Sequence, residues 1–327
     1  MPAVMRVVAT ALAAVLMATP TLAQSSGNPE TGGAAFLLVP VGGRAAALGQ
    51  AAIADGGSSE AAFWNPAGLA WMQSGEVAAH HAATFISNNT ALSAYFRAPG
   101  VGVLGVSAYL VDYGSQEVIT IPGGPISGKF QPKNVLLLAS FATVLSDVLA
   151  LGVNYKMIQF RQDCSGDCGV FPSVVGTTHG VDIGAQFGGV DSPIRIGAAI
   201  RHAGFPLQVE DRDQADPLPT RLEFGLSYRV NLPPPAPDAQ PLDARFLLDI
   251  ENRWGEFDDP RMRFGMELGY VDLIRLRTGY AFINSETRGP SVGLGVRLGL
   301  LSVDFSRVFY DSSNFDEPVY ISIRAGI

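Results

Sequence analysis

From Gly75 to the C-terminus, apolar and polar residues alternate with a period of two. Leu222, Phe224, Leu226, Tyr228 and Val230 interleave with Arg221, Glu223, Gly225, Ser227 and Arg229. Met262, Phe264, Met266, Leu268 and Tyr270 interleave with Arg261, Arg263, Gly265, Glu267 and Gly269. The final residues repeat the pattern, with Val319, Ile321, Ile323, Ala325 and Ile327 on one face. A period of two is strand spacing, so each segment has one oily face and one face of Arg, Glu, Ser and Gly. The pattern predicts fourteen strands: 76–86, 90–98, 101–112, 130–142, 149–161, 178–188, 193–203, 220–231, 243–254, 261–270, 273–284, 289–298, 300–310 and 317–327. The apolar run Val135–Val153 carries Asp147 and reads as two strands joined at Ser146-Asp147, since a helical span would put that carboxylate in mid-membrane.

Alternating strands build either a soluble sandwich, oily face inward, or a membrane barrel, oily face outward. Strand lengths favour the barrel, because a tilted strand crosses lipid in about 9–11 residues. Aromatics gather at strand ends, as Tyr228, Tyr270, Tyr280, Phe282, Phe309 and Tyr310. Tight turns at Ala98-Pro99-Gly100, 145–148, 188–192, Val271-Asp272 and Gly299 alternate with longer connections, as in bacterial barrels. The expected fold is therefore all-β: a transmembrane antiparallel β-barrel of about fourteen strands occupying 76–327. Its inner face would carry Arg201, Arg221, Glu223, Asp249, Glu251, Arg263, Glu267, Arg277, Asp304 and Arg324, as a charged pathway or as cross-strand ladders; the mixed signs favour ladders.

Composition narrows the function. The 327 residues include 37 Gly and 22 Pro, only 16% are charged, and the formal charge is -8. That sign argues against nucleic acid or an anionic surface as the main partner. No HExxH or GxSxG motif occurs, and neighbouring His80 and His81 face opposite sides of a strand. Gly100, Gly102 and Gly105 match a dinucleotide fingerprint, but strand-like residues follow where a helix should open. On a strand, Gly100 and Gly102 share a face and would make room inside a filled lumen. Catalytic residues, cofactor and metal are all expected to be absent. Cys164 and Cys168 read as a small loop disulfide, since a metal would need two further ligands.

The N-terminus supplies a destination. Arg6, the apolar run Val7–Met17 and the small residues before Ala23 read as a signal peptide over 1–23, cut near Ala23. Residues 24–75 form a second segment, within which 32–72 is rich in Gly and Ala and does not alternate. It ends in Trp64-Asn65-Pro66-Ala67-Gly68-Leu69, where Asn bonds its own backbone and Pro fixes φ. Small residues suit a narrow space, so this block reads as a plug within the barrel or, alternatively, as a cap on a soluble fold.

The run Phe36-Leu37, Gly42-Gly43-Arg44-Ala45-Ala46-Ala47-Leu48-Gly49, Ala51–Asp55 and Trp64–Leu69 strongly resembles the PorV/PorQ family, and more distantly the FadL family of hydrophobic-compound transporters. The resemblance implies a hatch containing Trp64, Asn65, Pro66, Ala67, Gly68 and Leu69, in a barrel of the outer membrane of a diderm bacterium. In the PorV branch it implies type IX secretion, with a translocon and cargo signal domains as partners beside outer-membrane lipid. The apolar loop residues Phe130, Val170, Phe171, Phe205 and Leu218 are then candidates for a cargo surface. In the FadL branch it implies passage of fatty acids or other hydrophobic small molecules. The chain departs from barrel habit in ending on Ile327 rather than an aromatic residue.

Overall fold

The computed structural model describes residues 34–189, 191–208, 215–234, 240–283, 288–310 and 316–327, without the side chain of Asp259. The expected signal peptide and its cut near Ala23 lie outside the described residues, as do residues 235–239 of the proline-rich connection.

Fourteen strands form the barrel. They are β1 (Glu76–Ala83), β2 (Asn88–Ala98), β3 (Gly102–Asp112), β4 (Gly128–Ser146), β5 (Leu149–Gly166), β6 (Val174–Phe187) and β7 (Ile194–Gly204). The second half holds β8 (Arg221–Leu232), β9 (Leu242–Arg253), β10 (Glu256–Tyr270), β11 (Ile274–Phe282), β12 (Gly289–Leu298), β13 (Leu301–Val308) and β14 (Val319–Gly326). Each pairs antiparallel with its sequence neighbour, and β1 pairs with β14 from Glu76↔Gly326 to Ala83↔Val319, which closes the ring. Closure removes the free edges that an open sheet would offer to other chains.

Burial alternates along the strands as the sequence pattern requires. In β8, Glu223, Gly225 and Ser227 are buried while Phe224, Leu226 and Tyr228 are exposed. The exposed set continues round the ring with Leu92, Phe96, Ile196, Phe246, Phe264, Leu276, Leu294, Phe305 and Ile321. So large an oily surface would be heavily penalised in water and is favourable against acyl chains.

Two details differ from the sequence reading. β4, β5, β6 and β10 are longer than expected, because ladder pairing continues past the oily residues. Residues 128–132 of β4 pair with Gly166 to Gln162 of β5, and Gln116–Val118 adds a short strand beside them. Cys164 and Cys168 are disulfide-bonded at this tip, with Cα atoms 6.2 Å apart. Gly100 and Gly102 do not make room in the lumen: Gly100 sits in the β2–β3 turn with open space around it, and Gly102 abuts the Ala142 carbonyl of β4. The His80-His81 reading matches, with His80 buried and His81 exposed.

Candidate functional site

Residues 34–72 lie against the inward faces of the strands around the ring. They form 3-10 turns at Ala35–Leu38, Ser59–Phe63 and Pro66–Trp71 and one short helix, α1 (Gly43–Ala47). Ala46, Ala47, Leu48, Ala51, Ile53, Ala54, Ala62, Ala67 and Leu69 are wholly buried. Such closeness requires wall positions without side chains, and glycines provide them. A Cβ on Gly152 would come 2.3 Å from the Pro66 carbonyl carbon, and one on Gly197 2.2 Å from the Ile53 oxygen. On Gly279 it would come 2.1 Å from the Gly49 nitrogen, and on Gly265 2.7 Å from the Leu48 oxygen. Gly184, Gly225 and Gly293 are equally close to Asn65, Ile53 and Ala47. Gly152 pairs with Gly184, Gly197 with Gly225 and Gly265 with Gly279, so the gaps line up across neighbouring strands.

Polar wall groups receive the segment's backbone. Asp249 Oδ2 accepts from Ala52 N (2.6 Å) and Ile53 N (2.9 Å). Ser322 Oγ accepts from Gly43 N, and Ser291 Oγ donates to the Ala47 carbonyl. Gln186 Nε2 donates to the carbonyls of Ile53 and Asp55, while its Oε1 accepts from Trp71 Nε1. Asn154 and Arg201 donate to the carbonyls of Ala62 and Phe63. A segment so short of regular structure must satisfy its backbone elsewhere, and the wall does this.

The six residues of the predicted turn fall together against β4, β5 and β6. Asn65 caps the turn Pro66–Trp71, its Oδ1 accepting from Ala67 N (3.1 Å). Its Nδ2 reaches the carbonyls of Ile53 (2.8 Å), Ala185 (3.2 Å) and Ala198 (3.4 Å), so one side chain joins the segment to β6 and β7. Trp64 donates Nε1–H to Val41 O, and the Arg201 guanidinium lies 5.2 Å over its ring. Pro66 and Ala67 pass over Gly152; Gly68 packs against Asp55 and Ala61; Leu69 is buried with Tyr95, Val103 and Ala150.

The inward charges form ladders. Arg201 pairs with Glu223 (2.5 Å), Arg263 bridges Glu223 and Glu251, and Arg277 joins Glu267 and Asp304 at 2.6 Å each. Asp249 departs from the expected ladder, since it is given to the segment's backbone. Arg44 of the segment joins the network through Asp55 and Glu267, and Arg245 reaches Asp55 (2.7 Å). Burial pushes the Asp55 carboxyl up, but Arg44 and Arg245 overcome this and hold it well below the usual range.

Glu60 behaves oppositely. Its Oε1 accepts from Ala45 N (2.7 Å), while Oε2 is buried without a protein partner. Burial pushes its pKa from 4.5 to about 7; Arg324 of β14 and Arg44 oppose this, and Asp304 of β13 adds to it. A raised carboxyl favours the protonated native state, so its stabilising effect is complete below 4.5 and lost as pH climbs through about 7. Hydrogen exchange of residues 43–65, corrected for the intrinsic pH dependence of amide exchange, should therefore quicken as pH rises from about 4.5 to about 7. Glu60→Gln, which keeps the acceptor for Ala45 N, should flatten that rise; an unchanged pH profile in the variant would refute the assignment.

The segment divides the lumen. On the side of the long connections lies a cavity of about 50 Å³ lined by Leu37, Trp64, Tyr109, Leu136, Leu138 and His202 among others. On the side of the tight turns lies a polar cavity of about 270 Å³, lined by arginines 44, 245, 275, 277, 297 and 324 with their carboxylates. The loop residues expected to form a cargo surface gather only in part: Phe130 stacks on Phe171 at 4.8 Å next to exposed Val170, whereas Phe205 is exposed on another connection and Leu218 is buried in the core.

Among solved structures, this arrangement resembles the CymD monoaromatic hydrocarbon channel, with 14% identity and a TM-score of 0.59 over 89% of this chain and 98% of that one. It resembles the toluene transporter TbuX of Ralstonia pickettii, at 12% and 0.56 over 88% and 98%. A FadL homologue of Pseudomonas aeruginosa matches at 12% and 0.50 over 88% and 98%. No family model and no curated protein matches the chain. The likeness is one of fold, a FadL-type barrel. The PorV/PorQ resemblance, and the secretion role it implies, find no support in these comparisons.

Proposed function

We propose that the chain is a non-enzymatic outer-membrane channel for small hydrophobic molecules, with residues 34–72 as a hatch that must move for passage. The observation carrying this reading is the occupied lumen. An aqueous pore keeps an open polar channel. Here the lumen is filled by a segment seated on glycines, with a largely apolar cavity on the outer side and a polar one on the other. The structural neighbours described as hydrocarbon channels and toluene transporters support the same choice over secretion. The lipid-facing strands and the exported N-terminus expected from the sequence support an outer-membrane location.

Uptake by intact diderm cells tests the proposal. Cells expressing the chain should take up toluene severalfold faster than cells without it, while entry of a sugar of similar size stays unchanged. Equal toluene uptake, or parallel entry of the sugar, would refute a hydrophobe-selective channel.

A further inference from the structure

Apolar residues line most of the outer cavity, joined by Gln50, Lys156, Arg201, Glu251 and Arg261, and three further lining residues each carry a buried polar atom without a protein partner. Tyr109, 3% exposed, has no acceptor or donor for its Oη. The rings of Phe36 and Phe63 lie 6.5 and 6.3 Å from its own. His202, 2% exposed, has no partner at Nε2, and Arg263 has none at Nε. All three residues line the cavity. Buried donors left unmade are rare, and each calls for a reason.

His202 is held deliberately. It sits at φ +58 on a bulge of β7, where Val181↔Ala203 gives way to Ile183↔Ile200 and Asp182 faces two residues. Its N–H donates to Asp182 Oδ1 (2.8 Å), and Thr220 Oγ1 donates to its carbonyl (2.9 Å). Lys156 Nζ lies 2.7 Å from Asp182 Oδ1 and 2.8 Å from His202 Nδ1. An ammonium only donates, so Nδ1 accepts and the ring proton resides on Nε2. The bulge thus presents an N–H to the cavity, beside the Arg263 Nε–H and the Tyr109 hydroxyl.

We propose that this cavity recognises a hydrophobic molecule bearing an acceptor oxygen, which His202 Nε2–H and Tyr109 Oη receive while Leu136, Leu138 and Trp64 hold its apolar body. The inference rests on the hydrophobe-channel reading and specifies its substrate class. A cavity of about 50 Å³ holds a few waters, so a ring must displace part of its lining. Leu38, Val39, Arg261 and Ile283 are the half-buried lining residues with room to yield, and the first two lie at the start of the inner segment. Entry of such a molecule therefore pushes on the segment that blocks its passage.

Calorimetric titration of the full barrel in detergent with phenol and with toluene tests this, because the two differ by one hydroxyl for one methyl. Phenol should bind about tenfold more tightly, the value of a good hydrogen bond to an otherwise unpaired donor. Tyr109→Phe and His202→Asn should each lower the phenol preference, with the barrel's gel mobility unchanged; asparagine tolerates the positive φ. Equal binding of phenol and toluene would overturn the oxygen-recognition site while leaving the hydrophobe channel standing, as would a preference unaltered in both variants. Binding of neither would overturn both.

Discussion

Gly279→Val should expel the inner segment from the lumen while the barrel stays closed. The new Cβ alone would sit 2.1 Å from Gly49 N and 2.2 Å from the Leu48 carbonyl carbon. Neither side can yield cheaply. Gly279 is paired to Gly265 within a closed ladder, and Gly49 holds φ +62 with its own space filled by Tyr280 and Phe264 backbone. Overpacking a core usually costs about 1–3 kcal/mol because side chains adjust; backbone against backbone allows no such relief. The barrel's own hydrogen bonds are untouched, so the variant should remain heat-modifiable on gels and membrane-inserted. Residues 43–65 should lose protection from hydrogen exchange, and permeability to small dyes should rise sharply. Wild-type protection in that segment would show that the wall is not the seat described.

Asn65→Ala should loosen the same segment by a different route. The substitution removes the cap on Ala67 N and the amide shared among the carbonyls of Ile53, Ala185 and Ala198. A lost cap and the lost amide bonds to the wall together cost about 2–4 kcal/mol of the segment's attachment, even though the Ile53 carbonyl keeps its bond from Gln186. Dye permeability should rise less than for Gly279→Val, and toluene uptake should rise with it. Asn65→Asp retains the cap but loses the donor, so it should fall near alanine if the link to the wall matters most. Recovery to wild type in Asn65→Asp would place the whole effect in the local turn.

The fold was readable because lipid outside and packed charge inside impose opposite polarities on alternate residues of the strands. Strand ends lose their mark in the sequence where that contrast ends. Lys129, Gln162, Asp163 and Ser165, outside the strands 130–142 and 149–161 expected from the pattern, carry no oily alternation, yet they continue the β4–β5 ladder. The local role of Asn65 followed from its place before Pro66. Its second role did not, since Ala185 and Ala198 come within reach only once β6 and β7 are in register. Gly265 and Gly279 stood in the polar phase of their strands, a signal that something closes on the wall there, but which wall positions would be paired needed the register. Tyr109 and His202 left no mark in the sequence: the His202 bulge breaks strand phase by one residue, and an unpaired hydroxyl is visible only in three dimensions.

A closed barrel with an occupied lumen requires that alternate residues of each strand face lipid. A nitroxide scan through residues 222–230 in reconstituted bilayers measures this directly, through accessibility to oxygen and to a water-soluble relaxant. Spin labels at 222, 224, 226 and 228 should be open to oxygen and closed to the aqueous reagent, whereas those at 223, 225 and 227 should be shielded from both. Aqueous access at the even positions, or no alternation at all, would contradict a lipid-facing barrel with an occupied lumen.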